Sequence, residues 1–145
     1  MKVAVGSDER NATTDAVLIA LRDRGIEVET FGPLNDEPKE WAEVSEEVAI
    51  AVCDGSADKG ILCCWTGTGC SIAANKVDGV RAALCVDAET ARGARKWNDA
   101  NILAMSLRLT TPILAREILD AFLDTADVDP TEVANIARVK DLEAR

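Results

Sequence analysis

The chain has 145 residues, of which 48% are apolar and 29% charged, the balance of a soluble globular protein with one hydrophobic core and one domain, 1–145. A net charge of −10 with no basic run argues against nucleic acid or an anionic membrane surface as partner, but not against a small anionic ligand; no stretch approaches the roughly 20 apolar residues of a membrane span. Histidine is absent altogether, which removes Ser-His-Asp and Cys-His catalysis, imidazole zinc sites and histidine as general base.

In chain order, Met1–Gly6 (MKVAVG) reads as a buried strand, and it turns polar too soon for a secretory signal. A helix follows over Thr13–Arg24, with Gly25 as the signal for its end, then a partly exposed strand over Ile26–Thr30 and a turn at Asn35–Pro38. Trp41–Cys53 suits a helix and Asp58–Cys64 a strand, which a Gly-rich turn joins to a short helix carrying SIAANK. Arg81–Val86 is a strand, Ala88–Lys96 a helix and Asn101–Met105 a fifth strand. Thr111-Pro112 opens a helix with Leu114, Ile118 and Phe122 on one face, and Asp129-Pro130 opens a last one, about 129–143. Apolar strands alternating with helices predict a doubly wound α/β fold, a five-stranded parallel sheet with helices on both faces in a Rossmann-like αβα sandwich. Ligands bind such sheets at the carboxyl ends of the strands, so the loops after Val5, Cys64, Val86 and Met105 are the candidates.

The loop after Cys64, CWTGTGCS, leaves a strand and opens a helix, so its amides can face an anion. It has neither the GxxxxGK[ST] of a phosphate loop nor the third glycine of a dinucleotide fingerprint, and a bare Gly67-Thr68-Gly69 is equally compatible with a tight turn. Cys63 and Cys64 sit on one strand and point to opposite faces, so they cannot share a metal. Cys64, last on the strand and beside the helix start, is where a thiol falls below its usual pKa of about 8.5. Cys53, Cys63 and Cys85 read as small hydrophobes, while Cys70, at the helix entrance, stays open. Five cysteines at irregular spacing make no disulfide framework, which fits a reduced, cytoplasmic setting. Asp8, in Ser7-Asp8-Glu9-Arg10, is placed to meet a sugar hydroxyl or to cap a helix. Trp97-Asn98-Asp99 precedes the fifth strand, Arg108 follows it at the same end of the sheet as Cys64, and Arg138 lies on the last helix.

The stretch GILCCWTGTGCSIAANKVDGVRAALC followed by WNDANILAMSLR resembles the type B ribose-5-phosphate isomerases and the related galactose-6-phosphate isomerase subunits, and the resemblance runs from VAVGSD to IARV. It implies an aldose–ketose isomerase that works through a cis-enediolate with no metal or other cofactor. It also implies a homodimer, or a tetramer built from it, in which the partner subunit completes each site and the C-terminal helix packs on the partner. Cys64 then falls where many members carry the base cysteine, and Cys70 where others carry a glutamate base; Cys64, beside the helix start, is the better activated. Thr66 is implicated in ring opening, Gly67, Thr68, Gly69, Cys70 and Ser71 in an amide anion hole, and Asp8 and Asn98 in holding hydroxyls.

Four positions depart from the family pattern: Glu9 and Trp97 stand where histidines are usual, Trp65 where glycine follows the base, and Ala134 for the first of two phosphate arginines, leaving Arg138. These changes weaken phosphate binding, while Trp65 and Trp97 narrow the pocket and offer stacking faces. With Arg10, Arg108 and Arg138 to hold one anionic group, the expectation is an isomerase of shifted substrate choice. Its substrate would be another sugar phosphate, a sugar acid or an unphosphorylated sugar. The alternatives are the standard substrate with compensating arginines, or a non-catalytic partner subunit of a hetero-oligomer.

Overall fold

A computed structural model describes residues 1–144. Five parallel strands, β1 (Lys2–Ser7), β2 (Glu27–Phe31), β3 (Lys59–Cys64), β4 (Ala82–Leu84) and β5 (Ile102–Ser106), form one sheet in the order β2-β1-β3-β5-β4. The helices are α1 (Ala12–Asp23), α2 (Trp41–Cys53), α3 (Thr68–Ala74), α4 (Ala88–Asn98), α5 (Pro112–Asp124) and α6 (Val133–Asp141), with short 3₁₀ turns at Gly32–Asn35, Pro130–Glu132 and Leu142–Ala144. The order of winding reverses between β1 and β3, so the expected ligand end lies where Ser7 and Cys64 finish their strands. Among the described residues, no helix is long and apolar enough to cross a membrane.

Side-chain alternation divides the core in two. Val3, Val5, Ile61, Cys63, Leu103 and Met105 pack on one face with Val17, Leu21, Ile118 and Phe122 of α1 and α5. Ala4, Leu62, Cys64, Ile102 and Ala104 face α2 and α3 through Val44, Val48, Cys70 and Ala74. On that second face Gly6 and Gly60 leave room for the α2 valines. A Cβ on Gly6 would lie 2.5 Å from Val44 Cγ1, and one on Gly60 2.9 Å from Val48 Cγ1. Helix α2 therefore lies close against the sheet, and this sets where its first residue lands.

Local chemistry accounts for the helix ends. Asn11 accepts from the Thr13 and Thr14 amides to cap α1, and the Thr14 hydroxyl closes the reciprocal bond. Asp87 caps α4, and Thr111 with Pro112 opens α5 as its sequence requires. Several boundaries differ from the sequence reading. β4 is only Ala82–Leu84, three residues on an edge instead of Arg81–Val86. α3 begins at Thr68, inside the Gly-rich stretch, because Gly67 already serves as its N-cap. The last segment splits into a 3₁₀ turn, α6 and another 3₁₀ turn; α6 has no buried residue and leaves Val133 and Val139 in solvent. Cys53, read as a packed hydrophobe, is exposed at the end of α2, while Cys63 and Cys85 are buried as expected.

Candidate active site

Strand β3 delivers Cys64 into the angle between α2 and α3, 5% exposed. The chain then turns through Trp65 and Thr66, both exposed, to Gly67 at φ +76°. Any side chain there would be strained, and its Cβ would lie 2.9 Å from the Met105 carbonyl carbon and the Ser106 nitrogen, so only glycine lets the loop fold back over β5. That return aims the Gly67 and Cys70 amides at the Cys64 sulfur.

The thiols polarise one another. The Cys70 thiol is the largest influence lowering the Cys64 pKa; the Cys70 and Gly67 amides add to it, and burial and the Asp8 charge oppose it, for a net value of about 6. Cys70, 1% exposed, moves the other way because it is the donor to Cys64 and is buried. Its sulfur also lies 3.3 Å from the Gly67 carbonyl oxygen, a second acceptor for its proton. Burial pushes Cys63 up to about 12. Of the three thiols in this corner, Cys64 alone is readily ionised near neutral pH. The Thr66 and Thr68 hydroxyls bond each other at 2.8 Å at the mouth, Gly69 and Ser71 are half-buried in the first turn of α3, and the loop presents amides on its Cys64 side.

Asp8 follows β1 at the same end of the sheet. Asn11, not Asp8, caps α1, so the Asp8 carboxylate is not spent on the helix start. The Ser7 hydroxyl donates to the Glu9 carbonyl at 2.6 Å and accepts from the Glu9 amide at 3.3 Å, fixing the turn that presents Asp8. Asp8 Oδ1 is buried with no hydrogen-bond partner among the described residues, and burial, reinforced by the charge of Glu40, raises the carboxyl pKa. An acceptor buried and unsatisfied in this way is suited to a ligand hydroxyl. Glu9 is exposed beside it, and exposed Arg10 pairs with Asp15 at 3.1 Å, turned to α1 rather than to Cys64.

Arg108 reaches the same end through a clamp between loops. The Leu107 and Arg108 amides donate to the carbonyls of Cys64 and Trp65 at 3.0 and 2.9 Å, and the Ser106 hydroxyl donates to Trp65 at 3.1 Å. The Arg108 guanidinium is exposed and forms no ion pair among the described residues.

Trp97, Asn98 and Arg138 are elsewhere. α4 runs antiparallel to the strands, so its last residues, Trp97 and Asn98, lie at the amino ends of β4 and β5. The corner after them is rigid. Asp99 adopts φ +48° and is bound by Arg81 and Arg95, and Arg95, nearly buried over the Phe122 ring, also donates to the Ala100 and Thr125 carbonyls. Trp97 and Asn98 line a cleft of about 800 Å³ together with Asn75, Arg81, Asn135 and Val139. Arg138 is exposed on α6, the helix that closes this cleft. Within one chain, then, Cys64, Cys70, Thr66, Asp8, the loop amides, Trp65 and Arg108 come together, and Trp97, Asn98 and Arg138 form a second group. Among the described residues, no three Cys, Asp or Glu side chains gather closely enough to hold a metal ion.

Two neighbours of the site carry no motif. Glu40 acts on Asp8 through its charge, and the Trp41 indole lies against Gly69. In sequence Trp41 reads only as the start of a helix; nothing nearby in the chain hints that Gly69 will meet it.

The chain matches the profile of the Ribose/Galactose Isomerase family over residues 3–142. It is 40% identical to ribose-5-P isomerase B of Listeria innocua over 126 residues, covering 86% of this chain and 85% of that protein. It is 38% identical to D-erythrulose-4-phosphate isomerase of Pectobacterium atrosepticum over 131 residues, covering 86% of this chain and 83% of that protein. The structure of Clostridium thermocellum ribose-5-phosphate isomerase B superposes with a TM-score of 0.90 at 36% identity, over 99% of this chain and 98% of that one. With the same five-stranded parallel sheet and a match over nearly its whole length, this chain belongs to the ribose/galactose isomerase family, an aldose–ketose isomerase family acting on sugar phosphates.

Proposed function

We propose that this chain interconverts an aldose and a ketose by proton transfer at Cys64. The observation that carries this reading is the buried Cys64 thiol, poised to ionise by Cys70 and two loop amides at the carboxyl end of β3. The Cys64 thiolate takes the proton from C2 of the open-chain aldose, and the thiol so formed returns it to C1 of the enediolate. Amides between Gly67 and Ser71 hold the enediolate oxygen as it gains charge. Asp8 accepts a substrate hydroxyl through its unpartnered oxygen, and Thr66 assists ring opening.

The charge pattern supports a substrate choice shifted from ribose 5-phosphate. Asp8, Glu9 and Glu40 make the β1 side of the mouth acidic, and Arg10 is occupied by Asp15, which leaves Arg108 as the local cation for an anionic group. The placement of Trp97, Asn98 and Arg138 away from Cys64 supports a homodimer in which a second copy brings that group to each mouth, with the exposed apolar positions of α6 packed on it.

The test is C2 proton exchange in deuterated water, followed by NMR, with ribose 5-phosphate, four-carbon sugar phosphates, unphosphorylated pentoses and hexoses, and uronates. Exchange that Cys64→Ala abolishes supports the reading. Full exchange in Cys64→Ala removes Cys64 as the base, and family-like efficiency on ribose 5-phosphate removes the shift in substrate.

A further inference from the structure

Trp41 is the first residue of α2. Its indole is 42% exposed yet is seated on the anion-hole loop: a Cβ built on Gly69 would lie 3.0 Å from Trp41 Cε3, 3.2 Å from Cζ3 and 3.3 Å from Cδ2. The indole fills the space where a side chain of Gly69 would be. In the chain Gly69 lies between Gly67 and Cys70, the two residues whose amides act on Cys64.

The start of α2, which carries the ring, is firmly placed. α2 is drawn onto the sheet by Val44 and Val48 over Gly6 and Gly60, and the Ser45 hydroxyl ties back to the Trp41 carbonyl at 2.5 Å. Trp41 also keeps part of its surface in solvent, and the preceding residue, Glu40, acts through its charge on Asp8. Gly67, the N-cap, and Gly69, in the first turn of α3, have no side chains of their own to pack, and the aromatic ring against Gly69 fills that gap.

We propose that Trp41 is a positioning residue of the active site: by lying on Gly69 it holds the Gly67–Ser71 amides in the geometry that stabilises the Cys64 thiolate and the enediolate oxygen. This deepens the isomerase reading and rests on it for the enediolate, but the effect on Cys64 stands apart from any substrate.

The experiment measures the pH dependence of Cys64 alkylation by iodoacetamide, with the Cys64 peptide quantified by mass spectrometry, in the wild type, Trp41→Ala and Trp41→Phe. Thermal unfolding of each variant checks that the fold is retained. Trp41→Ala should move the alkylation midpoint up by about one pH unit, the scale of one weakened hydrogen bond to a thiolate, and Trp41→Phe should restore most of it. Where a substrate has been found, kcat should fall in Trp41→Ala more than KM changes, because the amides act on charge that develops in the transition state. A Trp41→Ala alkylation profile that superimposes on the wild type overturns the proposal. Alkylation reports the loop even if no sugar in the panel is turned over, so failure of this inference and failure of the isomerase reading give different results.

Discussion

Replacing Cys70 with alanine tests the arrangement of the thiols most directly. The Cys70 thiol is the largest influence lowering Cys64, so its loss leaves Cys64 with the Gly67 and Cys70 amides alone, against unchanged burial and the Asp8 charge. A hydrogen bond to a charged group contributes about 1.5–3 kcal/mol, and at 1.36 kcal/mol per unit this is a rise of about one to two pH units, the lower figure suiting a weak thiol donor. A thiol near pH 6 is about nine-tenths ionised at neutrality; after such a rise about half to a tenth remains. A depressed acid pKa contributes stability that is present above the unfolded thiol value and lost as pH falls through the folded one, so the wild type should lose stability between about pH 8.5 and 6 more steeply than Cys70→Ala. The assay is Cys64 alkylation against pH, alongside the acid limb of kcat/KM; both midpoints should rise together while turnover at high pH is largely kept. An unmoved midpoint would refute the coupling. Activity abolished at every pH, with Cys64 still alkylated normally, would transfer the role of base to Cys70.

Four further outcomes are expected. Gly67→Ala should destabilise by about 2–4 kcal/mol in urea unfolding, through a left-handed backbone and a Cβ facing the Met105–Ser106 peptide at 2.9 Å, and should displace the Cys64 thiolate. Asp8→Asn should raise the unfolding temperature at neutral pH while weakening sugar binding in calorimetry: the folded state favours protonated Asp8, so the wild type loses stability as pH rises through that group's raised pKa. Arg95→Met should cost about 3 kcal/mol, because Asp99 and the Ala100 and Thr125 carbonyls lose a shared donor, and denaturant midpoints will show it. If two copies complete each site, mixing inactive Cys64→Ala and Asn98→Ala subunits should recover up to about a quarter of wild-type activity, since random pairing leaves one intact site in half of the dimers; no recovery under subunit exchange would count against a shared site.

The class of fold and its double winding were legible in the chain, and the central loop stood out as the candidate site. Runs such as VAVG and GILCC separated by amphipathic stretches admit little but a parallel sheet covered on both faces, and the lack of histidine in a chain with Cys64 at a strand end pointed to thiolate chemistry. Local signals placed Gly25, Thr111 and Pro112 at helix ends because capping is decided within a few residues. The tertiary structure decided what depends on distant segments meeting. Cys64 and Cys70 are close enough in the chain to be weighed separately as bases, but that one lowers the other depends on the turn that Gly67 makes over β5. Arg10 pairs with Asp15, and Trp97 and Asn98, which precede β5 in a parallel sheet, lie at the opposite end from Cys64, as their order in the chain already implied. Trp41 and Gly69 are far apart in sequence with no pattern linking them; only the close seating of α2 on Gly6 and Gly60 brings the indole to the loop.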